Sequence, residues 1–296
     1  MTSLWLSAWP ATVSRRVLRR PVHTHGPRFV GPGGHTAYGT MVDYRLGKLE
    51  QHGLIGGDWL DLGCAQGYWS VALAERGARS VVGVELDSER VQEALRLPHP
   101  ESVTFETGKS EALRFADASF DAVLVNEVLE HVRDEAAALR EIARVLRPGG
   151  HLVLFAPNRW FPFEGHGARI NNHRWLWHRP VPLMPWLPSR LTRPFAVARN
   201  YWPQQLRRLV TDAGLLPIEQ CWALIQFDRY KWLPAYAITQ YRRNINRIEH
   251  SALSRFFAVS MLIIAEAVQA TGDQGDARPQ ADANVAVAAG RADLVA

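Results

Sequence analysis

Between Asp58 and Pro157 the chain alternates short, mostly apolar runs with longer stretches whose apolar residues recur every three or four positions. The short runs predict strands at Trp59–Leu62, Ser80–Glu85, Val103–Glu106, Ala122–Asn126 and His151–Ala156. The stretches between them predict helices at Tyr68–Arg76, Ser88–Leu95 and Asp134–Leu146. Strands and helices in this alternation predict an α/β fold, a mainly parallel sheet with helices on both faces. A helix at Met41–His52 leads into it. Further on, a helix at Pro203–Ala213 passes through Gly214 to a strand at Leu216–Leu224, and Phe257–Ala267 offers one more strand.

This pattern divides the chain. Residues 1–40 read as an N-terminal tail, 41–157 as the regular core, 158–202 as an insert without sustained period, and 203–270 as the return to the fold. Residues 271–296 are rich in Ala, Asp, Gly and Gln with too little apolar content to pack, so disorder is expected there. In the N-terminal tail Leu4, Trp5, Leu6 and Trp9 precede Arg15, Arg16, Arg19 and Arg20, the reverse of a secretory signal, although such a segment suits an anionic membrane surface.

Composition narrows the class. The 296 residues are 47% hydrophobic and 21% charged, enough to bury a globular core. Two cysteines, Cys64 and Cys221, make neither a disulfide framework nor a cysteine-based zinc cluster, which points to a cytoplasmic protein. The longest apolar run, Phe256–Ala265, falls well short of the roughly 18 residues that a membrane span requires. The net charge of +5 is modest, but nine arginines against one acid, Glu164, fall between Arg159 and Thr211.

The chemistry starts at the first strand. Asp61–Gly67 reads DLGCAQG, closing a strand and opening a helix, with glycines where a ligand approaches the backbone. The spacing is not the GxGxxG of a pyrophosphate site, and Asp61 opposes a phosphate but accepts hydrogen bonds from an ammonium group. Glu85 ends the second strand 22 residues after Gly63, where a βαβ unit places a carboxylate beside a ribose. A ribose-bearing ligand without phosphate is implied.

At these residues the sequence resembles the class I S-adenosylmethionine-dependent methyltransferases, in particular the small-molecule branch that includes quinone-biosynthesis enzymes. Three blocks carry the likeness: DLGCAQG, then GKSEALRFADASFDAVLVNEVLEHV from Gly108 to Val132, then EIARVLRPGGHLVLFAPN from Glu141 to Asn158. The resemblance implies a Rossmann-like sheet of seven strands ending in an antiparallel pair, which would be Leu216–Leu224 and Phe257–Ala267. It also implies S-adenosyl-L-methionine as cofactor, with Asp61, Gly63 and Gly67 along its methionine part, Cys64 and Ala65 in the same loop, and Glu85 on the ribose hydroxyls. Asn126 and Glu127 would stand between cofactor and substrate, and Arg45 or Tyr38 would reach the cofactor carboxylate. Where relatives carry Gly-Asp-Ala, this chain reads Gly108, Lys109, Ser110; lysine cannot accept from the adenine amino group, so Ser110 or a backbone carbonyl takes that place.

Methyl transfer to a hydroxyl needs the nucleophile held about 3 Å from the methyl and a group that takes its proton. His131, following Glu127 and Glu130 at the entry to a helix, is the candidate base by position and by its titration range, with His166, His173 and His178 as alternatives. No metal site is expected, since no two histidines have the spacing of a helical ligand pair. The insert holds five of the eleven tryptophans (160, 175, 177, 186 and 202) with Phe161 and Phe163. It is expected to act as a Trp/Arg/Pro-rich lid over a hydrophobic acceptor, its arginines holding a polar head. The competing reading is a platform for a membrane or RNA, formed by the insert's arginines with Arg242, Arg243 and Arg247; without an RNA-binding motif, nucleic acid ranks last.

Overall fold

The computed structural model describes residues 36–170, 173–175, 181–192, 194–224, 234–249 and 254–268. Residues 1–35 of the expected N-terminal tail, the tail 271–296, and Trp177 and His178 lie outside these residues. For Tyr38, His173, Trp175 and Arg242 the description is of backbone only.

Seven strands form one sheet: β1 (Asp58–Leu62), β2 (Ser80–Glu85), β3 (Val103–Thr107), β4 (Phe120–Asn126), β5 (Leu146–Pro157), β6 (Leu215–Leu224) and β7 (Ala258–Ala267). Their order is β6-β7-β5-β4-β1-β2-β3. β1 to β5 run parallel to one another, while β7 runs antiparallel to both β5 and β6. The antiparallel pair at the end of the sheet is the one the sequence pointed to, within a residue at each start.

Alternation along the strands splits the core in two, because successive side chains point to opposite faces. Trp59, Val81, Leu124, Phe155 and Leu262 pack on one face with residues from α1 (Thr36–Gln51), α2 (Tyr68–Glu75) and α3 (Ser88–Arg96). Leu60, Val123, Val125, Leu154 and Ile263 pack on the other with α4 (Glu135–Val145) and α5 (Pro203–Asp212). Both faces being covered is why these strands read as apolar runs instead of a polar and apolar alternation.

Three elements differ from the sequence expectation. A helix, α6 (Ala235–Glu249), lies between β6 and β7; its signal, Ile238, Tyr241, Ile245 and Ile248 at helical spacing, is weak because these residues are only half-buried. β5 starts at Leu146, five residues earlier than expected, since an irregularity after Phe120 lets Leu146 pair across the Pro148-Gly149-Gly150 stretch. His131 does not sit at a helix entry: Leu129–His131 is a separate 3₁₀ turn, and α4 begins afterwards with Asp134 accepting from the Ala137 amide at 2.9 Å.

The insert forms two small antiparallel pairs, Phe163–Glu164 with Val181–Pro182 and Ala168–Ile170 with His173–Trp175. Asn158 fixes its root. This buried side chain donates to the carbonyls of Arg255 (2.6 Å) and Ala258 (2.8 Å) and accepts from the Trp160 amide (3.0 Å), so both of its donors and its oxygen bind backbone. Trp160 then packs edge-on against Trp202 and Phe256, at 4.9 and 5.4 Å between ring centres, with Arg255 stacked over Trp160. These half-buried aromatics pack together at the insert's root, whereas Trp186 is exposed.

Candidate functional site

The parallel strands β1, β2 and β4 end along the same edge of the sheet, and their C-terminal ends carry the groups singled out in the sequence. After β1 the chain turns sharply: Gly63, Ala65 and Gly67 all have positive φ, at 77°, 48° and 84°. The amides of Gly63 and Cys64 both donate to the Val84 carbonyl, at 2.7 and 3.1 Å, which holds the loop against β2. A Cβ on Gly63 would lie 2.4 Å from Val128 Cγ2, and one on Gly67 would lie 2.5 Å from Phe105 Cζ. Both glycines are therefore required by the fold's own packing, whatever approaches the loop from outside.

Two carboxylates flank this loop. Asp61 is buried and accepts from Ser70 Oγ at 2.6 Å. Burial pushes its carboxyl up to about 7, against the pull of Ser70, and the nearby Glu85 adds to the rise. Glu85 accepts from the amides of Ala65 (3.0 Å), Leu86 (2.8 Å) and Asp87 (3.1 Å), so its position at the end of β2 is set by backbone on both sides. Burial also drives the Cys64 thiol far above its ordinary range, assisted by Asp61 and Glu85, which leaves it without nucleophilic character. In the third loop, Ser110 donates to Glu111 at 3.0 Å while Lys109 is exposed.

At the end of β4 a buried guanidinium organises the site. Arg45, from α1, donates to Asn126 Oδ1, to Glu127 Oε1 at 2.8 Å and to Ser260 Oγ at 2.9 Å. Ser260 also donates to Glu127. Burial raises the Glu127 carboxyl, but Arg45 and the Ser260 hydrogen bond outweigh it and hold the group below its usual value. Glu127 itself adopts φ 57°, a left-handed conformation that a side chain of this size seldom takes outside functional sites.

Beyond Glu127 the 3₁₀ turn places Glu130 inside and His131 outside. The Glu130 side chain is 0% exposed, and neither of its carboxylate oxygens has a hydrogen-bond partner among the described residues. Nε2 of His131 lies 3.9 Å from Glu130 Oε1, and Nε2 of His166, brought by the insert, lies 3.8 Å from the same oxygen. The two imidazoles meet edge to face, 5.1 Å between centres. His166 keeps its orientation through Nδ1, 3.0 Å from Glu164 Oε1, and Asn200 donates to the other oxygen of Glu164.

Of the residues named from sequence, the structure brings Asp61, Gly63, Cys64, Ala65, Gly67 and Glu85 to one loop edge, and Arg45, Asn126, Glu127, His131 and His166 to the adjoining one. The spacing argument against metal looked for two histidines on one helix, whereas His131 and His166 converge from separate segments. Ser260, Glu164 and Asn200 were missed. Two of them left a trace: Ser260 interrupts the apolar run of β7, and Glu164 is the one acid in the arginine-rich segment.

Comparison with known proteins finds relatives over the stretch that carries these loops. A family described as a methyltransferase domain matches residues 60–154. A ubiquinone biosynthesis O-methyltransferase from Idiomarina loihiensis is 41% identical over 121 residues, covering 39% of this chain and 49% of the relative. Its namesake from Xanthomonas oryzae pv. oryzae is 39% identical over 129 residues, covering 42% and 52%. The chain thus spans about half the length of the curated relatives it matches. Among solved structures, the [4+2]-cyclase SpnF shares the fold with TM-score 0.50 and 18% identity, over 77% of this chain and 80% of that one.

Substituting Gly63→Ala adds a methyl against Val128 at a residue with φ 77°. Strain and overpacking together should cost about 2–4 kcal/mol, read as a lower midpoint in urea unfolding, and Val128→Ala in the same chain should return the steric part. An unchanged midpoint in the single variant would contradict the packing described above.

Proposed function

Starting from residues 60–154 as a class I S-adenosylmethionine-dependent methyltransferase domain, we propose that the protein transfers a methyl group from S-adenosylmethionine to a hydroxyl oxygen of a small, fairly apolar molecule. The observation that carries the cofactor half is the pair of carboxylates at the glycine loop. A buried carboxyl raised to about 7 gains most from a cationic partner, which suits Asp61 to the ammonium of the methionine moiety. Glu85, whose Oε1 is taken by the Leu86 and Asp87 amides while Oε2 keeps a lone pair beside the Ala65 amide, suits a ribose hydroxyl. Gly63, Cys64, Ala65 and Gly67 present backbone to the cofactor, and Ser110 stands on the adenine side in place of an acid.

When bound, S-adenosylmethionine supplies an electrophilic methyl on a cationic sulfur. This chain's residues hold, orient and deprotonate the acceptor around it. Arg45 neutralises Glu127 and aligns Asn126, so the end of β4 presents a fixed polar edge instead of a mobile carboxylate. The acceptor's hydroxyl proton is taken at the Glu130, His131 and His166 cluster that follows that edge. The insert, residues 158–202, closes this side as a lid and keeps water from the transfer. The oxygen acceptor is supported by the names of the O-methyltransferase relatives, and its apolar character by the aromatic insert.

A direct assay tests this reading. Incubated with methyl-labelled S-adenosylmethionine and matched apolar phenols and amines, the protein should label the phenol oxygen. Asp61→Asn and Glu85→Gln should each lower kcat/KM about tenfold or more, the size of one hydrogen bond to a charged group. Labelled amines, or intact cofactor binding without transfer to any phenol, would overturn the oxygen assignment.

The state of Asp61 also sets a pH dependence. In the free protein its folded pKa lies near 7, so the carboxyl is increasingly protonated below that pH, whereas the cofactor ammonium favours the charged form. Binding then expels a proton at low pH: affinity should be flat above pH 7 and fall by up to about tenfold per unit below it. Asp61→Asn should remove the slope. Isothermal titration with S-adenosylhomocysteine between pH 5.5 and 8.5 measures both.

A second reading, of a protein working at a membrane surface, is favoured by an exposed apolar group on the insert: Leu183, Trp186, Leu187, Leu191 and Phe195. Beside them stands Arg190, suited to anionic headgroups. Wild-type protein should co-sediment with anionic vesicles, and Leu187→Asp should weaken partitioning by roughly tenfold, the burial of one leucine side chain. No sedimentation at low salt would remove this reading.

A further inference from the structure

Two arginines stack on the aromatic cluster at the insert's root, and the chain uses them differently. Arg159 lies 5.1 Å from the centre of the Trp202 ring, and its guanidinium donates to the carbonyls of Pro185 and Leu187 and to Ser189 Oγ, at 2.7, 2.8 and 2.9 Å. Arg255 lies 4.9 Å from the Trp160 ring centre and 5.0 Å from that of Phe256. Among the described residues its guanidinium meets neither a hydrogen-bond acceptor nor a carboxylate, and its Nε is withdrawn from solvent with no partner. A guanidinium carries five N–H donors in one plane, and burying one of them without an acceptor is unfavourable. Ring faces attract the charge but do not take the place of oxygen acceptors for those donors.

Position and charge strengthen this. The Arg255 carbonyl accepts from the buried Asn158 side chain at 2.6 Å, and the residue lies in the 3₁₀ turn Ser254–Phe256, where the Phe257 amide donates to the Ser254 carbonyl at 3.0 Å. That turn leads directly into β7, whose Ser260 pairs with Pro157 at the end of β5, beside the end of β4. Arg255 therefore stands beyond the same edge of the sheet as Asn126 and Glu127. At about 3.4 Å per residue, it lies no more than about 17 Å along the chain from Ser260, which touches both Arg45 and Glu127. The neighbouring insert adds positive charge: its one acid between Arg159 and Thr211, Glu164, is committed to His166 and Asn200.

We propose that Arg255, stacked on Trp160 and Phe256, binds an oxyanion of the acceptor, a carboxylate or phosphate carried away from the hydroxyl that is methylated. The planar fork of a guanidinium matches two oxygens of such a group at once, and the two rings pack against the apolar body next to it. The preferred acceptor is then an amphiphile: a hydroxyl at the β4 edge, an apolar middle and an anionic end at the root of the insert. Its identity as the acceptor rests on the methyl-transfer reading; the binding of an oxyanion at Arg255 does not.

Binding and turnover are measured separately. Full-length protein without cofactor is titrated by calorimetry with a hydroxynaphthoate and with the matching uncharged hydroxynaphthamide. Wild type should bind the carboxylate about tenfold or more tightly than the amide, the size of a charge-assisted hydrogen bond, and added salt should narrow the difference. Arg255→Gln should bring the two probes to one affinity, and Arg255→Lys, which keeps the charge without the fork, should retain only part of the preference. A cation that serves the ring stack alone would lower the melting temperature when replaced and leave the ratio between the probes unchanged. Equal affinity of wild type for both probes, or a full preference kept by Arg255→Gln, overturns the proposal. S-adenosylhomocysteine titration of wild type and Arg255→Gln, expected to agree, keeps loss of the fold or of the cofactor site distinct from loss of the oxyanion site. With labelled cofactor, Arg255→Gln should raise KM for the hydroxynaphthoate about tenfold with little change in kcat. If wild type prefers the carboxylate in binding but methylates both probes with equal kcat/KM, the acceptor half of the inference is wrong. If phosphatidylglycerol vesicles bind through Arg255 while the hydroxynaphthoate and inorganic phosphate do not, the oxyanion is a lipid headgroup, which also overturns the acceptor half.

Discussion

The organisation of the site depends on one buried cation. Arg45 is 6% exposed, and its guanidinium reaches three residues in two separate parts of the chain: Asn126 and Glu127 at the end of β4, and Ser260 in β7. A guanidinium withdrawn from water costs several kcal/mol unless its donors are engaged, and its planar fork suits it to several acceptors at once. It also lies 4.5 Å from the centre of the Phe155 ring, which covers its face. Glu127 takes a left-handed φ, worth about 1–3 kcal/mol of strain, and the Arg45 pair is what holds it there with the Phe155 carbonyl, 3.0 Å from its amide. The turn that follows, including Glu130 and His131, takes its direction from that residue. A second buried pair, Lys48 with Glu249 at 2.6 Å, fastens the same helix to α6.

The insert is attached in the same manner, by polar contacts at its base and aromatic packing above. Asn158 commits both its amide hydrogens to backbone at the start of β7, and Arg159 donates to the carbonyls of Pro185 and Leu187 at 2.7 and 2.8 Å. Arginine in this segment therefore serves first as an internal clamp. The concentration of nine arginines, which in the sequence invites a nucleic-acid or headgroup surface, is partly spent on closing loops whose carbonyls have no strand to pair with. The same holds for Arg199, which donates to the Val132 carbonyl at 2.5 Å and so ties the insert to the turn carrying His131.

What could be read from the sequence follows a physical division. The central strands were legible to within one or two residues at most ends because burial on both faces makes them short apolar runs, and the loop after β1 because its glycines are forced by φ and by contact with Val128 and Phe105. Glu85 was legible because its distance from Gly63 is fixed by one βαβ unit. In contrast, α6 is half-exposed and lacks a wide apolar stripe, and β5 begins at an irregularity that only its pairing with Phe120 reveals. The cluster at Glu130 is invisible along the chain, since His131 and His166 are separated by α4, β5 and the root of the insert. Ser260 reads as an interruption of a strand until the fold sets its hydroxyl between Arg45 and Glu127.

The contact between Gly63 and Val128 joins the two halves of the site. A Cβ on that glycine would overlap both methyls of Val128, at 2.4 and 2.8 Å, so the loop after β1 and the turn after β4 lie in direct contact. Val128 sits between Glu127, fixed by Arg45, and Glu130, which faces the insert's histidine. Interiors this closely packed transmit displacement instead of absorbing it. The loop that follows Asp61 and donates to Glu85 is thereby packed on Val128, and through it on the turn that carries Glu130 and His131. Contact between the loop after β1 and the turn after β4 needs no moving domain: it follows from a glycine that leaves room for one valine and from a salt bridge that fixes the residue before that valine.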